Sequence, residues 1–356
     1  MSADQKKGAV RTHIHRKAYV ITFDLSNKVR KFKGISLEGQ SMKVPEPNHP
    51  FFQEVKAGLI EQIEKLTPAD VQVDSVDTAD LAANILALAK DFDHKSLLQN
   101  GYLVSSCVEF GELAHDHSCS LEVNRLVDYS GKPLGIGPRP RAKDLGRQVR
   151  EIIRSSEDRD IVLIEDGSFS GGTLCKIISM FEQERKAVKA IVVGILFPKA
   201  KERLRQSYKG ELIVADVFQS HLVDWMPDHD FFPFVQNNGK VLGMQLADKA
   251  YPIYDHYANF YSVPYLSHFL GHEDMGEWTG LGSASDKDLY NFSHYCVEKT
   301  IGLFELLESL NGGTHITIEM LQGMSKVAVP FLLGSSNFLD RRDTRVLDYL
   351  TDIAHD

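Results

Sequence analysis

The sequence predicts an α/β fold: a parallel sheet flanked by helices, with an N-terminal α+β extension and a helical C-terminal region. Between residues 75 and 243, β-branched apolar runs alternate with capped helical segments. Those runs, among them IVLIE, AIVVGILF and ELIVADVF, are almost continuously apolar, as strands covered on both faces must be. Two acids and a Gly/Ser/Thr loop follow the first of them, and parallel sheets bind ligands outside the carboxyl ends of their strands.

The extension, residues 1–74, opens with KAYVITFDL, rich in β-branched and aromatic residues and read as a strand. EPNHPFFQEVKAGLIEQIEKL follows and is helical in its later part, with Val55, Leu59, Ile60 and Ile63 at helical spacing. The core, residues 75–243, begins at DTADLAANILALAKDF, an Ala/Leu-rich helix behind a capping Asp or Thr. GYLVSS is the next strand, and LEVNRLVDYSGKPLGIG reads as two short strands around Ser130-Gly131. AKDLGRQVREIIRSS is a helix leading to strand IVLIE, and GGTLCKIISMFEQER is the helix after it. AIVVGILF and ELIVADVF are two more strands, separated by helix AKERLRQSY. Residues 244–356 turn helical and aromatic, as in VEKTIGLFELLESL and TIEMLQGMSKVAVPFLL, and suit a lid, a cap or an oligomerisation surface. A homodimer is one of the oligomeric states left open.

Composition excludes several classes. A formal charge of -9 argues against general nucleic-acid binding, which needs a basic face to neutralise phosphates. The start, MSADQKKGAVRTHIHRK, is polar and basic, and no window approaches about 18 uninterrupted apolar residues, so neither a signal peptide nor membrane association is expected. The 4 cysteines form no CxxC pair and read as reduced thiols of a cytoplasmic protein.

IVLIEDGSFSGGT, Ile161 to Thr173, carries the chemistry. Gly167, Gly171 and Gly172 open backbone conformations closed to other residues and let a ligand approach the main chain. Ser168, Ser170 and Thr173 add hydroxyls, and Thr173 stands where the next helix begins, so free N–H groups and the positive helix end converge on the loop. Glu165 and Asp166 are unsuited to phosphate, because like charges a few ångströms apart repel by roughly several kcal/mol at an effective dielectric near 20. They suit vicinal hydroxyls or a Mg2+ shell, so acids followed by an anion cradle fit a sugar phosphate. A P-loop lysine and a GxGxxG at this junction are both missing. A ligand-free strand-to-helix turn and another nucleotide-binding fold are the alternatives.

The stretch resembles the phosphoribosyl-pyrophosphate signature of the type I phosphoribosyltransferases: apolar strand, two acids, a short variable segment, then Ser/Thr-Gly-Gly-Thr. The resemblance implies a type I phosphoribosyltransferase-like core over roughly half the chain. It gives Glu165 and Asp166 to the ribose hydroxyls, and Phe169, Ser170, Gly171, Gly172 and Thr173 to the 5-phosphate. It further implies a pyrophosphate loop after an earlier strand, a place taken by SSCVEFGE with Ser105, Ser106 and Gly111. Glu109 departs from that pattern, since a carboxylate beside pyrophosphate is unfavourable unless Mg2+ intervenes. A basic closing loop is implied as well; GPRPRAKD offers Arg139, Arg141 and Lys143, with Arg125 just upstream, and a solvated basic loop is the other reading. Asp224 and Trp225 in VDWMPDHDFFPF would stack on and read a nitrogenous base or nucleotide, against plain packing of this segment.

The implied activity is Mg2+-dependent transfer of phosphoribose from phosphoribosyl pyrophosphate, or a related ribose phosphate, to a nitrogenous acceptor, as in nucleotide metabolism. Pyrophosphate would be released. The alternative is a non-catalytic sensing or regulatory module on the same fold. No residue is assigned as a metal ligand: HDHSC and HFLGHED offer ligand types without a matching second cluster.

Overall fold

The structure, a computed structural model, describes residues 11–13, 17–91, 101–106, 118–127, 132–139, 142–235, 240–242, 253–255, 260–263, 279–322 and 343–355. Its strands are β1 (Arg11–His13), β2 (Lys17–Phe23), β3 (Ser36–Leu37), β4 (Gln40–Ser41), β5 (Val71–Asp77), β6 (Gly101–Ser105), β7 (Ser118–Ser120) and β8 (Val123–Val127). They continue with β9 (Pro133–Pro138), β10 (Asp160–Ser168), β11 (Val188–Leu196), β12 (Glu211–Phe218), β13 (His221–Pro227), β14 (Lys240–Leu242), β15 (Ile253–Asp255) and β16 (Phe260–Val263). The α-helices are α1 (Leu25–Arg30), α2 (Pro50–Leu66), α3 (Thr78–Asp91), α4 (Leu145–Ser156), α5 (Gly172–Gln183), α6 (Pro198–Ser207), α7 (Asp286–Leu310), α8 (Ile318–Gln322) and α9 (Val346–His355).

The chain divides into two compact units: Met1–Ala18, Val76–Arg125 and Ile136–Val223 form the first, Tyr19–Ser75, Leu126–Gly135 and Asp224–Asp356 the second. The first unit is built on a 6-stranded sheet of order β1-β12-β11-β10-β6-β7, and each neighbouring pair runs parallel. Three segments of the chain build this unit. The first of them contributes because Arg11, Thr12 and His13 pair with Asp216, Val217 and Phe218 at the sheet edge.

The central strands bury both faces. On one face Tyr102, Val104, Ile161, Leu163, Ile191 and Val193 pack with apolar residues of α4, α5 and α6 in one core. Fully burying each such aliphatic side chain contributes roughly 1.5–3 kcal/mol. α3 packs on the other face, where Gly194 of β11 leaves room for Leu81 and Ile85. The start of α3 is capped as the sequence suggests: Asp77 Oδ1 accepts from Ala79 N at 2.9 Å and Asp80 N at 3.2 Å. Asp144 Oδ1 accepts from Arg147 N at 3.2 Å.

Strand order positions the site. From β6 the sheet grows one way to β7 and the other way to β10, β11 and β12. The order therefore reverses between β6 and β10, and in sheets of this kind ligands bind beyond the carboxyl ends of the strands at such a reversal.

The second unit holds a 3-stranded sheet β13-β2-β5, a 5-stranded sheet β15-β16-β14-β8-β9 and the β3–β4 pair. In α2, Val55, Leu59 and Ile63 are buried and Ile60 is half-buried. The C-terminal region is helical, with Phe292, Val297, Phe304 and Leu307 of α7 and Tyr349 and Leu350 of α9 all buried. It also contains β15 and β16, antiparallel partners in residues that the sequence reading assigned to helix. IYD and FYSV, aromatic and β-branched, suit strands. Among the described residues no helix is long and apolar enough to cross a membrane.

Candidate functional site

β10 runs past its apolar residues to Ser168, further than the sequence suggests. The register gives the reason. Its pairing with β6 ends at Ile164↔Ser105, whereas its pairing with β11 continues through Gly167↔Ile195 and Ser168↔Leu196. Glu165 and Asp166 therefore lie on a strand held by one neighbour, at the reversal of strand order. Gly194 is required there, because a Cβ at that position would collide with the Asp166 carbonyl.

Both acids are half-buried. Ser106, buried at the end of β6, donates its backbone N–H to Ile164 O at 3.1 Å and its hydroxyl to Glu165 Oε2. Asp166 Oδ1 accepts from Gly167 N at 2.7 Å. Burial pushes the Glu165 carboxyl well above the usual carboxylate range, and the charge and hydrogen bond of Asp166 push it the same way. The guanidinium groups of Arg139 and Arg125 oppose this without reversing it. Arg139 donates through Nε to Val123 O at 3.2 Å and through Nη2 to Ser106 O at 3.4 Å, so it is tied to backbone beside the acids.

After Ser168 the chain turns into α5. Gly171 adopts φ 73° at the helix N-cap, a left-handed conformation that favours glycine. The first turn of α5 contains no acidic residue, so the positive helix end faces no local carboxylate. Gly172 N donates weakly to Ser170 Oγ at 3.5 Å, and Thr173 is half-buried. A Cβ on Gly171 would come within 3.3 Å of Ala200 O, and one on Gly172 within 3.1 Å of Arg203 Nη1. α6 thus lies directly against the loop. Phe169, 39% exposed, rests edge-on against Phe197 at 6.3 Å, which stacks on Phe218 at 4.9 Å.

The predicted residues fall into three groups. Glu165 through Thr173, Ser105, Ser106 and Arg139 all belong to the first unit, and Ser106, Glu165 and Asp166 meet directly. Ser105 is buried in β6, with its carbonyl accepting from Leu121 N at 2.8 Å. Asp224 and Trp225 belong to the second unit. There Trp225 Nε1 donates to Thr22 Oγ1 at 3.3 Å, and Phe231 and Phe232 are core residues. Arg141, Glu109 and Gly111 lie outside the described residues, as do HFLGHED and the histidines of HDHSC, whose Cys119 is in β7. Arg203 was missed because AKERLRQSY reads only as a helix; its nearness to the glycines comes from the β11–α6 connection.

One group of metal-ligand types was also missed: Asp24, Asp228 and His229 of the second unit, buried, with ligand atoms within 4.8 Å of one another. Its donors are already engaged. Lys28 Nζ sits 3.3 Å from Asp24 Oδ2, His229 Nδ1 sits 2.5 Å from Asp24 Oδ1, and Asp228 Oδ1 accepts from Asp24 N at 2.9 Å and Leu25 N at 3.1 Å. An internal ammonium already supplies the positive charge, and the cluster ties residues 24–28 to residues 228–229.

No protein-family model matches the chain, and comparison with curated proteins finds no similar sequence.

Proposed function

We propose that the first unit binds a ribose phosphate and transfers phosphoribose from phosphoribosyl pyrophosphate to a nitrogenous acceptor. The observation that carries this reading is where the strand order reverses. The acid pair on β10 and the start of α5 stand at the two ends of one short loop beside that reversal. Vicinal hydroxyls donate to the acids, and the phosphate takes the free N–H groups of the α5 first turn. The N-terminal α+β extension and the type I phosphoribosyltransferase-like character of the core belong to the same proposal.

In the reaction the bond from ribose C1 to the pyrophosphate oxygen breaks, and a bond from C1 to the acceptor nitrogen forms. Pyrophosphate leaves with the electron pair, and the acceptor loses its N–H proton to solvent. Negative charge on Asp166 favours the positive charge that develops on the ribose. Mg2+ fits as a substrate-borne ion, because it takes one or two carboxylates and fills its shell with phosphate oxygens and water. Glu165 and Asp166 are the residues that would share it, and when bound it neutralises pyrophosphate.

The test is pyrophosphate release by the full chain with phosphoribosyl pyrophosphate, Mg2+ and a panel of purine, pyrimidine and nicotinate acceptors. At least one acceptor is expected to turn over, and Asp166→Asn is expected to lower kcat/KM by about 10²-fold. Binding of phosphoribosyl pyrophosphate with no release for any acceptor would favour the sensing module instead.

A further inference from the structure

We propose that Gln148 is a positioning residue of the acid pair: its buried amide clamps the backbone on either side of Arg139, which reaches Ser106, the hydroxyl partner of Glu165. The inference rests on the reading of the acid pair given above and adds a residue that acts on it through another.

The buried face of α4 carries Leu145, Val149 and Ile152, and Gln148 lies among them, 8% exposed. A buried amide costs stability unless its donors and its acceptor are bonded. Those of Gln148 are. Its Oε1 accepts from Glu122 N at 2.8 Å. Its Nε2 donates to Glu122 O at 3.3 Å and to Lys143 O at 2.5 Å. The side chain thus pairs with both backbone groups of Glu122 as a neighbouring strand would, just past the bond from Leu121 N to Ser105 O at 2.8 Å. An apolar residue would pack this face of α4 equally well. The amide instead spends its bonds on two segments outside the helix.

Arg139 stands between those segments. The Glu122 carbonyl that accepts from Gln148 also accepts from Arg139 N at 2.9 Å, and Arg139 O accepts from Ala142 N at 3.0 Å, next to Lys143. The Arg139 side chain then donates through Nε to Val123 O at 3.2 Å and through Nη2 to Ser106 O at 3.4 Å. The second bond is long, so a small shift of the Arg139 backbone breaks it. Ser106 in turn gives its hydroxyl to Glu165. The series Gln148, Glu122, Arg139, Ser106, Glu165 joins α4 to the acid pair. Displacing Arg139 frees Ser106, and with it Glu165, and takes a cation away from an anionic substrate.

Calorimetric titration of the full chain with phosphoribosyl pyrophosphate and Mg2+ tests this in a double-mutant cycle. Gln148→Met, similar in length and apolar, is expected to weaken binding by about tenfold. Arg139→Met is expected to weaken it at least as much. Because one residue acts through the other, the double variant should bind no more weakly than Arg139→Met alone. Gln148→Glu keeps the acceptor for Glu122 N and loses the N–H donors. It should fall between wild type and Gln148→Met, and it serves in the cycle where Gln148→Met does not fold. Val149→Ala, a truncation on the same buried face, should lower the urea midpoint and leave affinity unchanged. Unchanged affinity in both Gln148 variants, losses that add in the double variant, or an equal loss in Val149→Ala would each overturn the role of Gln148 while the acid-pair reading stands. No binding by wild type would overturn both.

Discussion

At the scale of single residues, Glu165 carries the clearest electrostatic signature. Its carboxyl is packed against Asp166 and receives the Ser106 hydroxyl, and burial first, then Asp166, holds its pKa well above the ordinary glutamate range. The folded chain therefore binds this proton more tightly than the unfolded chain does. Stability falls as pH rises from the ordinary glutamate pKa, about 4.3, towards the raised folded value, because there the folded state binds more protons. Glu165→Gln is expected to remove that slope. Urea midpoints for both proteins between pH 4 and 8 check this: the variant should gain on wild type as pH rises. Parallel curves would show that Glu165 titrates as it does in an unfolded chain.

At the scale of elements, the acids are held in place by close packing of β10 on β11 and of α3 on the sheet. Gly194 is the pivot: an added methyl would strike the Asp166 carbonyl and come within 3.0 Å of Leu81 Cδ2 and 3.1 Å of Ile85 Cδ1. Gly194→Ala is expected to destabilise by about 1–3 kcal/mol through overpacking and to weaken ribose 5-phosphate binding about tenfold by moving Asp166. Gly34→Ala, where a methyl meets no atom within 4 Å, is the control and should change stability by less than about 1 kcal/mol. Urea unfolding and calorimetry read both effects. These elements were largely legible in the sequence. Unbroken apolar runs marked β10, β11 and β12, and the capping Asp or Thr at Asp77-Thr78 marked the start of α3. Gly194 was not legible, because a glycine inside AIVVGILF gives no sign of what lies above it. The aromatic strands β15 and β16 were hidden by the helical patterns around them.

At the scale of the whole molecule, strand order was the part the sequence could not supply. Apolar runs predict a parallel sheet, but nothing local reveals that β6 lies beside β10, or that Arg11–His13 closes an edge next to β12. Those pairings join residues far apart in the chain, and the first of them brings Ser106 to Glu165. The loop residues, Glu165 to Thr173, were legible because they are contiguous; Arg203, which lies against Gly172, was not, because it arrives from another helix. Asp224 and Trp225, whose residue types suggest base recognition, belong to the second compact unit, where the Trp225 indole N–H bonds to Thr22. The central claim, a ribose-phosphate site at the reversal of strand order, is tested most directly by calorimetric titration of phosphoribosyl pyrophosphate with Mg2+ into the full chain. The account predicts saturable binding at one site, lost by at least about tenfold in both Asp166→Asn and Thr173→Ala. Absence of binding to wild type, or unchanged affinity in both variants, would contradict it.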